Sequence, residues 1–131
     1  MSTRTVLFVC EHGAGRSRIA AAWFNHAAPA GWSATTAGLT PQEQVSVHAP
    51  RLLAGTAAES ALDPAPPRPL AAVAGPAVVV AIDCAAPGAV RWELAATGFD
   101  DAMRDELRQR VEELIGTLPE HGTEPAAEGG R

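Results

Sequence analysis

The chain has 131 residues, of which 47% are hydrophobic, and carries a formal net charge of -5 at pH 7. This length suits one domain with a four-stranded sheet and covering helices. The acidic balance argues against a general nucleic-acid or membrane-surface binder, and no apolar run is long enough to cross a bilayer or to form a signal peptide. We therefore expect a soluble cytoplasmic protein with no nucleic-acid partner and no membrane partner.

The first third of the chain predicts a strand, a loop and a helix in direct succession. Residues 5–9 form a continuous apolar run, which is typical of a buried parallel strand. Residues 17–26 place alanine and larger apolar side chains at helical spacing. A second strand is predicted over residues 32–37 and is closed by Gly38. The segment over residues 10–16 therefore lies where a strand ends and a helix begins.

The rest of the chain continues the alternation of helices and strands. The predicted elements are a helix over residues 45–59, an extended connection over 63–69, a central strand over 77–82, a short strand over 90–94 and an amphipathic helix over 100–118. This order predicts an α/β fold with a flavodoxin-like open parallel four-stranded sheet, strand order 2-1-3-4, and helices on both faces. We assign residues 1–118 to this domain and residues 119–131, rich in Gly, Glu, Ala and Pro, to a flexible C-terminal tail.

The loop after the first strand brackets five residues between Cys10 and Arg16 and continues into Ser17. Backbone amides at a helix N-terminus lack intrahelical partners, and the helix dipole adds positive charge there, so such a loop binds a tetrahedral oxyanion. The same field stabilises a thiolate at Cys10, and the planar fork of Arg16 can hold two anion oxygens. The predicted oxyanion-binding residues are Glu11, His12, Gly13, Ala14, Gly15 and Arg16.

The side chains of Glu11 and His12 allow two interpretations. The first is a solvated pair at the rim of the loop, since backbone amides bind the anion while side chains radiate outward. The second has one of them contact a leaving group or activate water. Cys84, which follows the predicted central strand, is likewise either a small buried residue or a thiol that reaches Cys10 on oxidation. These two cysteines are too few for a disulfide framework.

The order and spacing of Cys10, Arg16 and Ser17, directly after the first strand, resemble the signature of the low-molecular-weight protein tyrosine phosphatases and of the arsenate reductases that share their fold. The resemblance covers nearly the whole ordered chain. It implies that Cys10 is the nucleophile, that Arg16 clamps the oxyanion and that Ser17 donates its hydroxyl to the thiolate. The competing interpretation is a buried structural cysteine in an ordinary turn from strand to helix.

Two loop positions depart from that family. Gly13 stands where the phosphatases keep an Asn that braces the loop, and Gly15 stands where thioredoxin-coupled arsenate reductases carry a second Cys. With Cys84 as the only later cysteine, an intramolecular disulfide relay of that kind cannot be completed. The loop and residues 91–94 are similar to actinobacterial arsenate reductases, which need only the first Cys and use a small external thiol.

Ester hydrolysis needs a carboxylic acid that protonates the leaving alcohol. In the family this acid is an Asp followed by Pro before the last helix, and this chain has no Asp-Pro there. Alignment from the last helix selects Asp101, with Asp100 beside it. Alignment from residues 92–94 instead places Ala96 at that position and leaves Glu93 as the substitute. An acidic pair at a helix N-terminus also complements the helix dipole without any catalytic role.

These observations predict a cysteine-dependent phosphatase that acts on a small phosphoester through a thiophosphate intermediate. No aromatic residue lies over residues 40–50 to hold a substrate ring, which favours a small substrate or a free oxyanion over a phosphotyrosine protein. The alternatives are a single-cysteine arsenate reductase that uses an external low-molecular-weight thiol, and an oxyanion-binding module without turnover. We predict no metal, since neither His26 nor His48 has a partner at metal-ligand spacing, and we expect no cofactor.

Overall fold

The computed structural model describes residues 3–44 and 46–119 of the chain. Strands and α-helices alternate along these residues as β1 (Arg4–Cys10), α1 (Arg16–Ala27), β2 (Trp32–Gly38), α2 (His48–Leu53), β3 (Val78–Ile82), β4 (Val90–Trp92) and α3 (Asp101–Thr117). One-turn 3-10 helices cover Glu59–Ala61 and Leu70–Ala72. The predicted tail from residue 120 onward lies outside the described residues, as does Val45, the first residue of the predicted second helix.

The four strands run parallel in the order β2-β1-β3-β4, which confirms the predicted sheet. Residues 6–9 of β1 pair with strands on both sides, as their continuous apolar sequence predicts for a central strand. Cys10 is the last residue of β1 and pairs with Gly38 at the end of β2. β1 therefore carries Cys10 to the carboxyl edge of the sheet, at the switch point of the strand order.

The two faces of the sheet carry cores of different size. Val6 and Phe8 face the larger core, which α1, α2 and α3 complete. Leu7 and Val9 face the smaller core, which residues 70–73 cover. Among the described residues, the α-helices thus pack on one face and a one-turn helix lies over the other. In the same part of the chain, no helix is both long and apolar enough to cross a membrane.

The helix predicted over residues 45–59 is shorter in the structure. α2 covers His48–Leu53, and the chain turns at Gly55, whose φ of +79° lies in the left-handed region that ends a helix. The end of the predicted helix is replaced by a single 3-10 turn at Glu59–Ala61. Leu52 and Leu53 of α2 are buried, so the short helix still closes the larger core beside α1.

The loop between β4 and α3 is held in place by Glu106 of α3. Its Oε1 accepts a hydrogen bond from the Ala96 amide at 2.8 Å, and its Oε2 accepts one from the Ala95 amide at 3.0 Å. Arg110 donates to the same carboxylate at 3.1 Å and to the Glu93 carbonyl at 2.9 Å. Burial alone would raise the pKa of Glu106, but the two amides and Arg110 outweigh it and hold this pKa below its ordinary value. The ionised carboxylate therefore fixes the path of the chain that leads into α3.

We expect Glu106→Gln to lower the free energy of unfolding by about 1 to 2 kcal/mol at neutral pH. A glutamine has one acceptor oxygen and no charge, so it cannot accept from both loop amides and loses the ion pair with Arg110. A carboxyl group with a lowered pKa stabilises the fold above its unfolded pKa of about 4.3, and this contribution is lost as the pH falls through the lower folded value. The stability difference between the two proteins should therefore shrink in acid. Urea denaturation in neutral and in acidic buffer measures it.

Glu112→Gln is the matched control, since Glu112 lies on the same helix but its side chain is 60% exposed. It should change the free energy of unfolding by less than about 0.5 kcal/mol. An equal loss of stability in both variants would contradict the role given to Glu106.

Candidate active site

The loop between β1 and α1 is tied down through its carbonyl groups. The backbone amides of Leu39, Thr40, Gln42 and Ser46 donate to these carbonyls at distances of 2.7 to 3.4 Å. The carbonyls bound in this way belong to Cys10, Glu11, His12 and Ala14. The amides of residues 11–16, in contrast, donate to no other group in the part of the chain that the structure describes. Because the carbonyl and amide of a trans peptide point in opposite directions, the loop presents free N–H groups, which is what an oxyanion cradle needs.

The loop rests against the end of β2 through two glycines. Gly13 has a φ of +65°, and a Cβ added to it would lie 2.7 Å from the Gly38 nitrogen. A Cβ on Gly38 would lie 2.5 Å from the His12 carbonyl carbon. These approaches are too close for any side chain, so both positions require glycine at this backbone geometry. At position 13 the resemblance implies an Asn whose side chain braces the loop. In this chain the backbone of Gly13 packs directly against Gly38 instead.

Cys10 and Ser17 come together where β1 ends and α1 begins. Cys10 Sγ lies 3.1 Å from Ser17 Oγ, and the two residues are 6% and 0% exposed. The Ser17 hydroxyl is placed to donate to the sulfur when the sulfur is a thiolate, as the resemblance implies. The N-terminus of α1 adds the partial positive charge of the helix dipole.

The Arg16 side chain is held by groups from outside the loop. Its Nη2 donates to the Thr97 carbonyl at 3.0 Å, and its Nε lies 3.5 Å from Asp83 Oδ2. The guanidinium carbon stands 4.6 Å from the centre of the Phe99 ring, an attractive cation–π distance. A guanidinium has five N–H donors, so these contacts leave several of them for an oxyanion.

A cavity of about 170 Å³ is lined by Cys10 and most of the loop. Its other walls are formed by Gln42, Ser46, Ile82, Asp83 and Phe99. The volume is several times the ~30 Å³ of a water molecule, which suits a tetrahedral oxyanion with a small substituent. Phe99 is an aromatic wall that sequence reasoning missed, because it was sought over residues 40–50 and lies instead just before α3.

Among the residues that the structure describes, those that line this cavity do not include the three predicted proton donors, Asp101, Asp100 and Glu93. Asp101 is 77% exposed, and its carboxylate lies 3.3 Å from Arg104 one turn along α3. Asp100 caps α3 by accepting a hydrogen bond from the Met103 amide at 3.1 Å. Glu93 is 71% exposed and pairs with a neighbouring arginine at 3.0 Å. The assignment of Asp101 as the catalytic acid therefore stays a prediction.

Two other carboxylates do line the cavity, those of Glu11 and Asp83. Glu11 Oε2 accepts a hydrogen bond from Thr40 Oγ1 at 2.9 Å, and His12 Nδ1 lies 3.1 Å from the Thr40 carbonyl. Glu11 and His12 are both exposed, as the interpretation of a solvated rim pair expects. Asp83 accepts from the Leu94 amide at 2.9 Å through Oδ1 while its Oδ2 faces the arginine of the loop. The place of Asp83 directly after the central strand was the sequence signal that could have found it.

Cys84 lies on the face of the sheet that carries the smaller core. Its Sγ donates to the Val9 carbonyl at 3.6 Å. Burial, together with the nearby Cys10 and Glu11, raises the pKa of the Cys84 thiol. Because the thiolate is the reactive form, this environment favours the interpretation of Cys84 as a small buried residue. Among residues 3–44 and 46–119, no group of three or more His, Cys, Asp or Glu side chains could hold a metal ion.

Solved structures of arsenate reductases and of a phosphatase match the fold of this chain. An arsenate reductase from Archaeoglobus fulgidus is 31% identical, and the match covers 85% of this chain and 98% of that chain with a TM-score of 0.67. The thioredoxin-dependent arsenate reductase of Corynebacterium glutamicum is 27% identical over 88% of this chain and 62% of that one, with a TM-score of 0.68. This chain thus spans less than two thirds of the corynebacterial protein.

A low-molecular-weight protein tyrosine phosphatase from T. tengcongensis matches at 21% identity over 88% of this chain and 100% of that chain, with a TM-score of 0.68. At this identity, the match shows the fold alone. No family model and no curated protein matches the chain. From the match to the archaeal protein, the chain belongs to the superfamily of low-molecular-weight protein tyrosine phosphatases and arsenate reductases.

Phe99 covers Gly15, and a Cβ added to Gly15 would lie 2.5 Å from Phe99 Cζ. We therefore expect Gly15→Ala to push the Phe99 ring away from Arg16, because an extra methyl group in a packed contact forces its neighbours to move. The variant should lose about 1 to 3 kcal/mol of folding stability. Phosphate should also protect its Cys10 from iodoacetamide less well than in the parent. Thermal unfolding and alkylation rates measure the two effects.

Gly116→Ala is the control for this change, since a Cβ on Gly116 meets nothing within 4 Å. It should leave phosphate protection as in the parent protein. Unchanged stability and protection in Gly15→Ala would contradict the observed packing of Phe99.

Proposed function

We propose that this protein is a single-cysteine arsenate reductase that attacks arsenate with Cys10 and takes its electrons from an external thiol. The observation that carries the proposal is the composition of the cavity at Cys10. It combines the thiol, Arg16 and free loop amides, but none of the three acids predicted to protonate an ester leaving group lines it. Arsenate loses hydroxide or water and does not depend on such an acid. The order of the two candidates is therefore the reverse of the order that the sequence favours.

The comparisons support the same choice. The two arsenate reductases described above are 31% and 27% identical to this chain. Thiol dependence is stated for the corynebacterial protein, which is a thioredoxin-dependent enzyme. For this chain, the proposal requires a thiol reductant of some kind, and a low-molecular-weight thiol meets that requirement.

In the proposed reaction, the Cys10 thiolate attacks As(V), an S–As bond forms and hydroxide leaves. The loop amides and Arg16 hold the other arsenate oxygens. An external thiolate then attacks Cys10 Sγ, and the electron pair of the S–As bond leaves with arsenic as As(III). A second thiol reduces the mixed disulfide and returns Cys10 as a thiolate. Two thiols are thus oxidised to one disulfide, which balances the two electrons that arsenic gains.

The positions of the cysteines support an external electron donor. The sequence has two cysteines, Cys10 and Cys84. Cys84 is buried against the Val9 carbonyl on the smaller core and does not line the cavity at Cys10. Cys10 does line that cavity, so the proposal takes the second thiol from solution.

Hydrolysis of a small phosphoester is the second candidate, because the Glu11 and Asp83 carboxylates line the cavity. It shares the first step, with Cys10 attacking phosphorus and expelling an alcohol. In this alternative the leaving alcohol is protonated by one of these two carboxylates, or by Asp101 once its ion pair with Arg104 opens. An oxyanion-binding module would bind arsenate or phosphate at the same loop and release no product.

We expect Cys10→Ser to abolish the formation of arsenite from arsenate in the presence of 2-mercaptoethanol, because a serine hydroxyl is not ionised at neutral pH. Cys84→Ser is the matched control and should keep the parent rate within about twofold. Arsenite released per unit time measures both. Loss of activity in a folded Cys84→Ser variant would instead support a relay between the two cysteines, and binding without arsenite release in the parent would support the binding module.

We expect Asp101→Asn to leave arsenate reduction at the parent rate, because no alcohol has to be protonated in that reaction. Esters with poor leaving groups, such as alkyl phosphates, should be hydrolysed at a negligible rate by the parent. If the parent hydrolyses them well and Asp101→Asn slows them by about a hundred- to ten-thousand-fold, hydrolysis is the function and Asp101 is its acid. Asp100→Asn, Glu93→Gln and Asp83→Asn should be measured in parallel, since Asn at position 100 can still cap α3.

A further inference from the structure

Arg18 is a buried cation that the reaction described above does not use. It is 1% exposed and lies in the first turn of α1, one residue after Ser17. Burial lowers the pKa of its guanidinium, although the nearby Asp63 carboxylate opposes that shift. Removing a guanidinium from water costs several kcal/mol unless its donors find good partners. The contacts of Arg18 should therefore show why a cation is kept at this position.

The first partner of Arg18 is the loop itself. Arg18 Nε donates to the Gly13 carbonyl at 3.0 Å. The carbonyls on either side, those of His12 and Ala14, are bound by backbone amides from residues 39–46. The Gly13 carbonyl accepts from a side chain instead. Because a trans peptide is planar, holding the Gly13 carbonyl fixes the Ala14 N–H on the opposite side, toward the cavity that Ala14 lines.

The second partner anchors Arg18 to the rest of the fold. Arg18 Nη1 donates to the Asp63 carbonyl at 2.7 Å. The Asp63 carboxylate lies 3.3 Å from Arg68 Nη2, and Arg68 Nη1 donates to Thr35 Oγ1 at 2.8 Å and to the Thr36 carbonyl at 3.0 Å. Arg18 is thus held by a chain of contacts that ends on β2. The position of the Gly13–Ala14 peptide is set from outside the loop.

We propose that Arg18 is a positioning residue that holds the Gly13–Ala14 peptide with its amide turned into the oxyanion cavity. The inference rests on oxyanion binding at Cys10, as the proposed function does, but not on which oxyanion reacts. It also explains how a loop with Gly13 in the left-handed conformation keeps one shape. Glycine is free to rotate, and the guanidinium removes that freedom by holding the carbonyl.

The test compares Arg18→Met and Arg18→Lys with the parent protein. Inorganic phosphate is titrated against the alkylation of Cys10 by iodoacetamide, and the free energy of unfolding is measured for each protein. We expect Arg18→Met to need about tenfold or more phosphate for half-protection, because a hydrogen bond from a charged group to the loop is lost. Arg18→Lys should recover part of the affinity, since an ammonium can reach one of the two carbonyls.

Arg104→Met is the matched control. Arg104 also donates a guanidinium hydrogen bond to a backbone carbonyl, that of Leu52 at 3.2 Å, but between α3 and α2 and away from the loop. It should lower stability without changing phosphate protection. If Arg18→Met is unfolded, the comparison of Arg18→Lys with the parent decides. Parent-like protection in a folded Arg18→Lys or Arg18→Met variant overturns the inference.

The inference and the proposed function fail in different ways. If phosphate and arsenate do not protect Cys10 in the parent, oxyanion binding at this loop is wrong, and both fall. If the parent is protected but produces no arsenite, the proposed function falls, while weaker protection in the Arg18 variants upholds the inference. In an active protein, an unchanged KM for arsenate in Arg18→Met, with a lower stability, assigns Arg18 a structural role and overturns the inference.

Discussion

The candidate active site depends on one constraint, which is that the peptide carbonyls of the loop have partners outside the cavity. Four are bound by backbone amides of the segment that follows β2, the Gly15 carbonyl is bound by the Ile19 amide, and the Gly13 carbonyl is bound by Arg18. Since each carbonyl is drawn outward, the amides point where an oxyanion would sit. Donors fixed before the ligand arrives do not have to be reoriented, which is the reason such sites bind developing negative charge well.

The larger architecture serves this arrangement. β1 delivers Cys10 to the edge of the sheet, and β2 ends beside it, so the segment that follows β2 can bind the loop carbonyls. The contact between Gly13 and Gly38 brings these two segments of the chain closer than any side chain would allow. The fold therefore determines the shape of the loop through backbone contacts, whereas the exposed side chains of Glu11 and His12 contact Thr40.

Sequence reasoning succeeded where the signal was local. The strand, the loop and the first helix are contiguous, so the spacing of Cys10, Arg16 and Ser17 predicted both the fold at that point and their proximity. It missed Arg18, because the partner that explains its burial, Asp63, lies 45 residues further along the chain. The length of α2 was also wrong, since Gly55 adopts a left-handed conformation that helical periodicity does not reveal.

The position of the predicted catalytic acid was also ambiguous in sequence, because a distant residue sets the path of the loop that would carry it. Alignment from one end of the β4–α3 loop selected Ala96, and alignment from the other end selected Asp101. The path between them is set by Glu106, which binds the Ala95 and Ala96 amides from a position ten residues further along. With this path, the loop brings Thr97 and Phe99 to Arg16, and Asp101 begins the next helix. Spacing alone could not distinguish these outcomes.

The packing of Phe99 on Gly15 also bears on how such a protein could evolve. Position 15 is where some members of the superfamily place a second loop cysteine, and in this chain the ring of Phe99 occupies the space that its Cβ would need. A cysteine gained there first would disturb the binding of Arg16 before it could offer any redox benefit. A smaller residue gained first at position 99 would remove an aromatic wall. The two positions are therefore coupled, because a side chain at position 15 needs a smaller residue at position 99.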